Sequence, residues 1–431
     1  MRNRKLWQIL LLSVVLALVL AACGGGDEPE PEATEASGAT EEEAVDEPAT
    51  EEVAVEEEMA EEEMPAEPFV FGLIMVGPKD DHGWNEAHWE GAQYVLEHVP
   101  GSELVWFDKL NPADNPDITL EQVVDDFVAE GAQFIITNSA EMADATNNAA
   151  AAHPDVTFIH ASGDAAINGD GPANVGNIMG QMEYGKMMAG CAAAMTTETG
   201  SIAYLGPLID AETRRLVNSA YLGARHCWTE NRGMAAEDLS FTVTWIGFWF
   251  NIPAVTLDPT QVANDFIDDG ADVIISGIDT TEALVVAGQR SASGDNVHAI
   301  PYDFIDACAE ATDVCLGVPY FNWGPDYLRT VEQIMAGSWS PTWIWSSPDW
   351  ADINNPDTSA VGWVNGPALS ADGQAAVDAL IAGLADGSVD LWAGPLNYQD
   401  GTEFVAAGAS ATDDQIWYTQ QLLEGVTGAS E

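Results

Sequence analysis

One segment of this chain occurs twice. Residues 122–137 read QVVDDFVAEGAQFIIT and residues 261–276 read QVANDFIDDGADVIIS. Gln122, Val123, Asp126, Phe127, Gly131, Ala132, Ile135 and Ile136 recur as Gln261, Val262, Asp265, Phe266, Gly270, Ala271, Ile274 and Ile275. Each copy is an amphipathic helix, a glycine stop and an apolar run of strand length. The match runs through polar positions, which sets it apart from a chance likeness of helix–Gly–strand units. Two copies so far apart predict two similar α/β lobes rather than a short-period solenoid. A pair of lobes makes a cleft, and a cleft is where a small ligand binds.

The N-terminus reads as an address. Arg2, Arg4 and Lys5 precede an apolar run from Leu6 to Leu20, followed by Ala21-Ala22-Cys23. The run is short for a transmembrane span, which needs about 20 apolar residues, and fits a secretory signal over 1–22. Leu20-Ala21-Ala22-Cys23 resembles a lipobox, which implies cleavage before Cys23 and a lipid on its sulfur. Residues 23–67 are rich in Glu, Ala, Pro and Thr and hold no Lys or Arg. Like charges repel and there is little apolar surface to bury, so a disordered tether is expected. A flexible chain of that length spans roughly 35–40 Å.

Formal net charge is −59 over 431 residues. Such a surface repels phosphate backbones, which argues against a nucleic-acid partner, and it suits a salty habitat or a demand for solubility. Beyond Cys23 the cysteines are Cys191, Cys227, Cys308 and Cys315. In an exported protein three pairings are open. Cys308 with Cys315, flanking a short loop, is the first expectation, which leaves Cys191 with Cys227; free buried thiols are the alternative.

From Phe69 onward, strand and helix alternate through Tyr302, a rhythm that predicts parallel sheets covered by helices. Apolar strands are expected near 69–76, 103–107, 134–137, 156–160, 201–205, 241–245, 272–276 and 297–302. Helices fill the gaps, and Met182–Met195 opens the second series. A return strand over Val318–Asn322 and a helix over Pro325–Ala336 are expected to cross between lobes. In parallel α/β sheets ligands sit beyond the carboxyl ends of the strands. That rule selects Lys79 to Asn85, then Asn138, Ser139 and Glu141, then Phe248 to Phe250, then Gly277, Asp279 and Thr280, then Asp303, then Asn322 and Trp323.

This set is rich in Trp, Asn and Asp, and the chain has 15 Trp. Indoles from two lobes can sandwich a planar ligand while Asn and Asp read its edge. Stacking contributes about 1–3 kcal/mol per base, against the roughly 8 kcal/mol of micromolar binding. Sugars also stack on Trp, so they stay open on this reading. Trp84 and Trp89 can equally pack a helix start, Asn85 can cap one, and Asp80-Asp81 can cap or stay solvated. Lys79 is the one cation beside the candidates, which disfavours a phosphate ligand. No catalytic or metal-binding string is present, so neither an enzyme nor a cofactor or metal is expected.

The segment GLIMVGPKDDHGWNEAHWEGAQ at 72–93 resembles the opening signature of the BMP family, the purine-nucleoside lipoproteins of ABC importers. Trp84-Asn85 and Trp89-Glu90-Gly91 match its aromatic-Asn pair and aromatic-x-Gly turn. Segments 202–225, 245–254, 268–284, 299–304 and 320–327 follow in the family's order. The resemblance implies a type I periplasmic-binding fold: two Rossmann-like lobes with parallel sheets and a three-crossing hinge. It also implies delivery of a purine base or nucleoside to a membrane permease with a cytoplasmic ATPase. Carried over residue by residue, it makes Trp84 and Trp249 the opposed aromatics, Asn85 their polar neighbour and Asp303 the ribose-holding acid. Asn138 takes the place where one member has an Asp facing the base. Nucleoside binders of the family often carry a Lys on the return strand; here Asn322-Trp323 stand there, which leaves room for a free purine.

The expectation is therefore a monomeric, lipid-anchored binding protein on the outer face of the cytoplasmic membrane, working by hinge closure without covalent chemistry. Its ligand contacts are expected from Trp84, Asn85, Asn138, Trp249, Asp279, Asp303, Asn322 and Trp323. The first lobe spans 68–180 with 319–337 returning to it, and the second spans 181–318 with 338–431 appended. The rival readings are a sugar-binding protein of the same shape, a receptor presenting ligand to a sensor kinase, and an enzyme.

Overall fold

The computed structural model describes residues 68–431. The expected signal peptide, the expected lipid site at Cys23 and the expected acidic tether fall on residues 1–67, outside the described residues. The chain builds β1 (Val70–Ile74), α1 (Trp84–His98), β2 (Glu103–Phe107), α2 (Leu120–Ala129), β3 (Ala132–Thr137), α3 (Ala143–Ala152), β4 (Thr157–Ala161), the single turn α4 (Ala165–Asn168) and β5 (Val175–Gly180). It continues with α5 (Met182–Thr196), β6 (Ser201–Gly206), α6 (Ala211–His226), β7 (Ser240–Trp245), α7 (Pro259–Asp268), β8 (Val273–Ser276), α8 (Glu282–Ala292) and β9 (His298–Ile300). The remainder is β10 (Gly317–Phe321), α9 (Gly324–Met335), β11 (Trp343–Ser346), β12 (Val361–Asn365), α10 (Ala371–Asp386), β13 (Leu396–Asn397), β14 (Glu403–Val405), α11 (Asp413–Trp417) and β15 (Val426–Thr427).

Two parallel sheets result. One has the strand order β11-β5-β4-β3-β1-β2 and the other β15-β7-β6-β8-β9. The repeated segment is α2-β3 in the first sheet and α7-β8 in the second. Each copy supplies the strand beside the lobe's opening strand, β1 or β6. The shared glycine ends its helix in a left-handed conformation both times, with φ of 96° at Gly131 and 99° at Gly270. That conformation strains any residue with a Cβ. Both helices open on a side-chain cap, Thr119 and Asp258.

The chain passes between the sheets three times: from β5 into α5, from β10 into α9, and from β11 to β12. α9 packs on α1 and α10 on α5. β10 and β12 pair antiparallel where the crossings converge. A Cβ on Gly180 would lie 2.8 Å from Val361 and 2.9 Å from Phe321, so the end of β5 is pressed against both strands. Asn322 ties two crossings together, its Nδ2 donating at 2.8 Å to the carbonyls of Pro356 and Ser359.

Two departures from the sequence reading stand out. A strand, β5, occupies 175–180, where none was expected. Gly176, Asn177 and Gly180 break its apolar pattern, yet a Cβ at Gly176 would come within 2.9 Å of Ile159 and 3.1 Å of the Thr342 carbonyl. The close packing that demands glycine is what hides the strand. The segment after 337 does not all join the second lobe. Trp343–Ser346 forms β11 and extends the first sheet beside β5, while β15 completes the second sheet. The disulfides follow the expected pairing: Cys191 bonds to Cys227, at the start of the π-turn that follows α6, and Cys308 bonds to Cys315.

The first sheet is buried in one apolar cluster that includes Phe71, Ile135, Phe158 and Tyr327. The second has a cluster on each face, around Phe241 with Trp363 and around Ala263 with Leu284. α5 and α6 approach closely because Gly190 and Gly223 sit at their crossing, where an added Cβ would meet Ala220 O at 1.9 Å and Met187 O at 2.0 Å.

Candidate functional site: the interlobe cleft

The carboxyl ends of β1, β3, β6, β7, β8 and β9 converge on one cavity. Trp84, Asn138, Ser139, Ala140 and Ser162 line it from the first lobe, and Glu212, Trp249, Asp279 and Tyr302 from the second. The space between the side chains is about 310 Å³. The cavity is therefore a slot, at the small end of ligand pockets.

A hydrogen-bond network holds its first wall. The Asp81 carboxylate caps α1, accepting from the amides of Gly83, Asn85 and Glu86 at 3.0–3.1 Å and from Asn85 Nδ2 at 2.7 Å. Asn85 Oδ1 accepts from Gly77 N at 3.1 Å and from Asn138 Nδ2 at 2.9 Å. Asn138 Oδ1 accepts from Val76 N at 2.9 Å, and its carbonyl accepts from Trp84 Nε1 at 2.6 Å. The indole of Trp84 is braced from behind by edge contacts with His88, Phe321 and Trp323, whose ring centroids lie 4.5–5.4 Å away.

The lobes meet across the slot. Trp249 Nε1 donates to Glu141 Oε1 at 2.9 Å, Ser162 Oγ donates to Glu212 Oε2, and Trp84 N donates to the Asp279 carbonyl at 3.4 Å. A Cβ on Gly83 would lie 1.7 Å from that same carbonyl, so glycine is what permits the approach. At the edge, Tyr418 donates to Asp164 at 3.0 Å and His82 lies 3.6 Å from Glu310. The conformation is a closed one.

Carboxyl groups dominate the electrostatics. Burial pushes Glu212 up to about 7, against the opposing pull of Arg215. Asp81 is raised to about 6 by burial despite its hydrogen bonds, and Asp279 is raised by burial and by its acidic neighbours. Asp303 is fully buried behind the cavity with φ of 74°, and neither carboxyl oxygen has a hydrogen-bond partner among the described residues. Burial raises it and Lys186 opposes the rise; Tyr302 adds a weak pull of the same sign without reaching hydrogen-bond geometry. Lys186 is itself fully buried, donating to Ser276 O at 2.7 Å and lying 3.2 Å over the ring of Tyr302.

Of the eight residues selected from sequence, Trp84, Asn138, Trp249 and Asp279 line the slot. Asn85 lies one layer back, orienting Asn138. Asp303 is behind the wall near Lys186. Asn322 clamps the hinge, and Trp323 stacks on His88 with centroids 4.2 Å apart, so these two are structural in this conformation. Glu212, Ser162 and Tyr302 were missed. Glu212 and Tyr302 follow β6 and β9, and the strand-end rule applied one turn further would have found them. Lys186 contradicts the expectation that Lys79 is the one cation near the site. Lys79 lies instead over Trp89 and Trp106, at 4.1 and 4.7 Å from the ring centroids.

Among the described residues no helix is long and apolar enough to cross a membrane and no cluster of metal ligands is present. Solved structures share the architecture. A solute-binding protein of Aeropyrum pernix superposes with a TM-score of 0.59 at 12% identity, covering 77% of this chain and 93% of that one. One from Conexibacter woesei gives 0.54 at 22%, covering 74% and 97%. In sequence, the chain is 26% identical to a purine-binding protein of Brucella abortus over 84% of this chain and 93% of that protein. It is also 26% identical to a putative ABC transporter glucose-binding protein of Haloferax volcanii over 82% and 79%. The model of the PnrA-like ABC transporter substrate-binding proteins matches residues 69–338. With that match over most of the folded chain and a type I solute-binding architecture around an interlobe slot, the protein belongs to the Bmp family of ABC transporter substrate-binding proteins, an extracytoplasmic family of solute binders.

Proposed function

We propose that the slot takes a purine base or nucleoside, and that the closed protein delivers it to an ABC permease while anchored through a lipid on Cys23. The observation that carries this reading is the pairing of Trp84 from one lobe with Trp249 from the other across a narrow slot. A flat aromatic ring fills such a space, with stacking on both faces contributing roughly 2–6 kcal/mol. The acidic lining disfavours phosphates and suits a ligand rich in N–H groups. The Brucella relative, a purine-binding protein, supports the same class.

The name of the Haloferax relative keeps glucose as the rival ligand, since a pyranose also stacks on indole and its hydroxyls donate to carboxylates. Titration of intrinsic tryptophan fluorescence with adenine, adenosine, guanosine, glucose and ribose separates the two. Saturable quenching by purines at micromolar concentrations is expected; saturation by sugars alone would refute the ligand class. For the anchor, intact mass of protein from membranes is expected to show a diacylglyceryl group on a chain beginning at Cys23. A chain still carrying Met1 would contradict it.

A further inference from the structure

The slot has more acceptors than donors. Its donors are almost all committed within the protein: the indole of Trp84 to Asn138, that of Trp249 to Glu141, the Asn138 amide to Asn85, Ser139 Oγ to Glu141 and Ser162 Oγ to Glu212. The Tyr302 hydroxyl and the second N–H of the Asn138 amide are the exceptions among the described residues. The carboxyl groups are the reverse case. Glu212 is 7% exposed, and Oε2 alone is engaged, by Ser162 with Arg215 Nη2 at 3.9 Å; Oε1 has no partner among the described residues. Asp279 is 4% exposed and neither side-chain oxygen has a hydrogen-bond partner among the described residues, although its backbone N–H and carbonyl are bonded to Trp249 and Trp84. Arg215 lies outside the slot's lining: its Nε is held by Glu183 at 2.5 Å, and its Nη2, 3.9 Å from Glu212 Oε2, makes no hydrogen bond among the described residues.

A carboxyl oxygen that faces the slot gives up its water when a ring fills the space, and a ligand that donates to it removes the cost of that lost hydration. A ligand lacking the donor leaves the acceptor unpaired, and such sites discriminate strongly. Even with one proton shared between the two carboxyl groups, acceptors outnumber free donors. Resting on the purine reading above, we propose that the protein selects purines bearing an exocyclic amino group, and that Glu212 and Asp279 are the residues that read its N–H groups. Trp84 and Trp249 hold any flat ring; the two carboxyl groups choose among them. Adenine- and guanine-type rings satisfy this requirement, and oxopurines without the amino group do not.

Calorimetric titration of the whole lipid-free protein with adenine, guanine and hypoxanthine, and with adenosine, guanosine and inosine, tests the proposal. Hypoxanthine is guanine without its amino group, so the comparison isolates that group. In whichever series binds, both amino-bearing members are expected to bind at least about tenfold tighter than the member without it. A smaller preference overturns the proposal while leaving the purine reading intact. Failure of every purine to bind overturns both. The second arm is Glu212→Gln combined with Asp279→Asn, near-isosteric changes that convert acceptors into donors. The preference is expected to fall at least about threefold, with the circular dichroism spectrum retained; an unchanged preference would mean that other groups read the ring.

Discussion

Trp249 and Trp84 line the same slot but differ in what buries them. Trp84 is packed on His88, Phe321 and Trp323 and belongs to the first lobe's core. Replacing it with alanine is expected to remove binding and to destabilise the lobe by about 3–5 kcal/mol, the cost of a large-to-small change in a packed core. Trp249 is 8% exposed yet lies outside the three apolar clusters, covered instead by the opposite lobe. Trp249→Ala is therefore the cleaner probe. Affinity is expected to fall at least about tenfold, the loss of about one stacked face, with the thermal midpoint of ligand-free protein nearly unchanged. An unaltered affinity would remove Trp249 from the site. The carboxyl groups add a pH dependence. Glu212 rises from an ordinary 4.5 to about 7, and Asp81 to about 6 from 3.8. The closed form thus binds more protons than an open or unfolded one. That stabilisation is fully present below the ordinary carboxyl range and is lost as pH rises through about 6 and then 7. The radius of gyration of ligand-free protein, followed by X-ray scattering, is expected to grow over that rise. Glu212→Gln should flatten the later part, and an identical profile in the variant would contradict the assignment.

Glycines at element ends govern how the pieces meet. Gly83 precedes α1 with φ of −150°, outside the left-handed region, and the opposite lobe demands glycine there because a Cβ would lie 1.7 Å from the Asp279 carbonyl. Gly83→Ala is expected to keep each lobe folded while forcing the Asp279 loop away, lowering affinity at least about tenfold through a less populated closed state. Scattering should show a more open molecule at saturating ligand, and an undiminished affinity would show that the lobes need not approach this closely. The same kind of reasoning marks how far the sequence could be read. The α2-β3 and α7-β8 units were legible because period, cap and left-handed glycine agree in both copies. β5 and β11 were not. The first is glycine-rich because its neighbours crowd it, and the second lies in a Trp- and Pro-rich stretch without a clear period. At the site, strand ends were legible and side-chain direction was not. Asn322 and Trp323 end a strand as Asn138 does, but their side chains serve the hinge and the core. Lys186 lies within a helix, where no strand-end rule looks.

The whole molecule couples a hinge to an acidic shell. Three chain crossings joined by the Asn322 clamp and the β10–β12 pair let two rigid sheets swing while the slot residues stay fixed within each lobe. Ligand shifts the population towards closure only through its own contacts that the open form lacks; Trp249–Glu141 and Ser162–Glu212 are bonds the two lobes make with each other in the closed form. The full chain has a net charge of −59, and its acidic excess produces strong self-repulsion, which salt screens. The thermal midpoint is expected to rise as NaCl is raised from about 0.1 to about 1 M, and a midpoint that falls would mean that specific ion pairs outweigh the repulsion. The central claim is that the two lobes close on a flat, nitrogen-rich ring. Its most direct test is native mass spectrometry of protein purified without added ligand, followed by release and identification of whatever it carries. A purine base or nucleoside, retained by the wild type and absent from Trp249→Ala, is the expected result; a hexose released in stoichiometric amount would contradict the account.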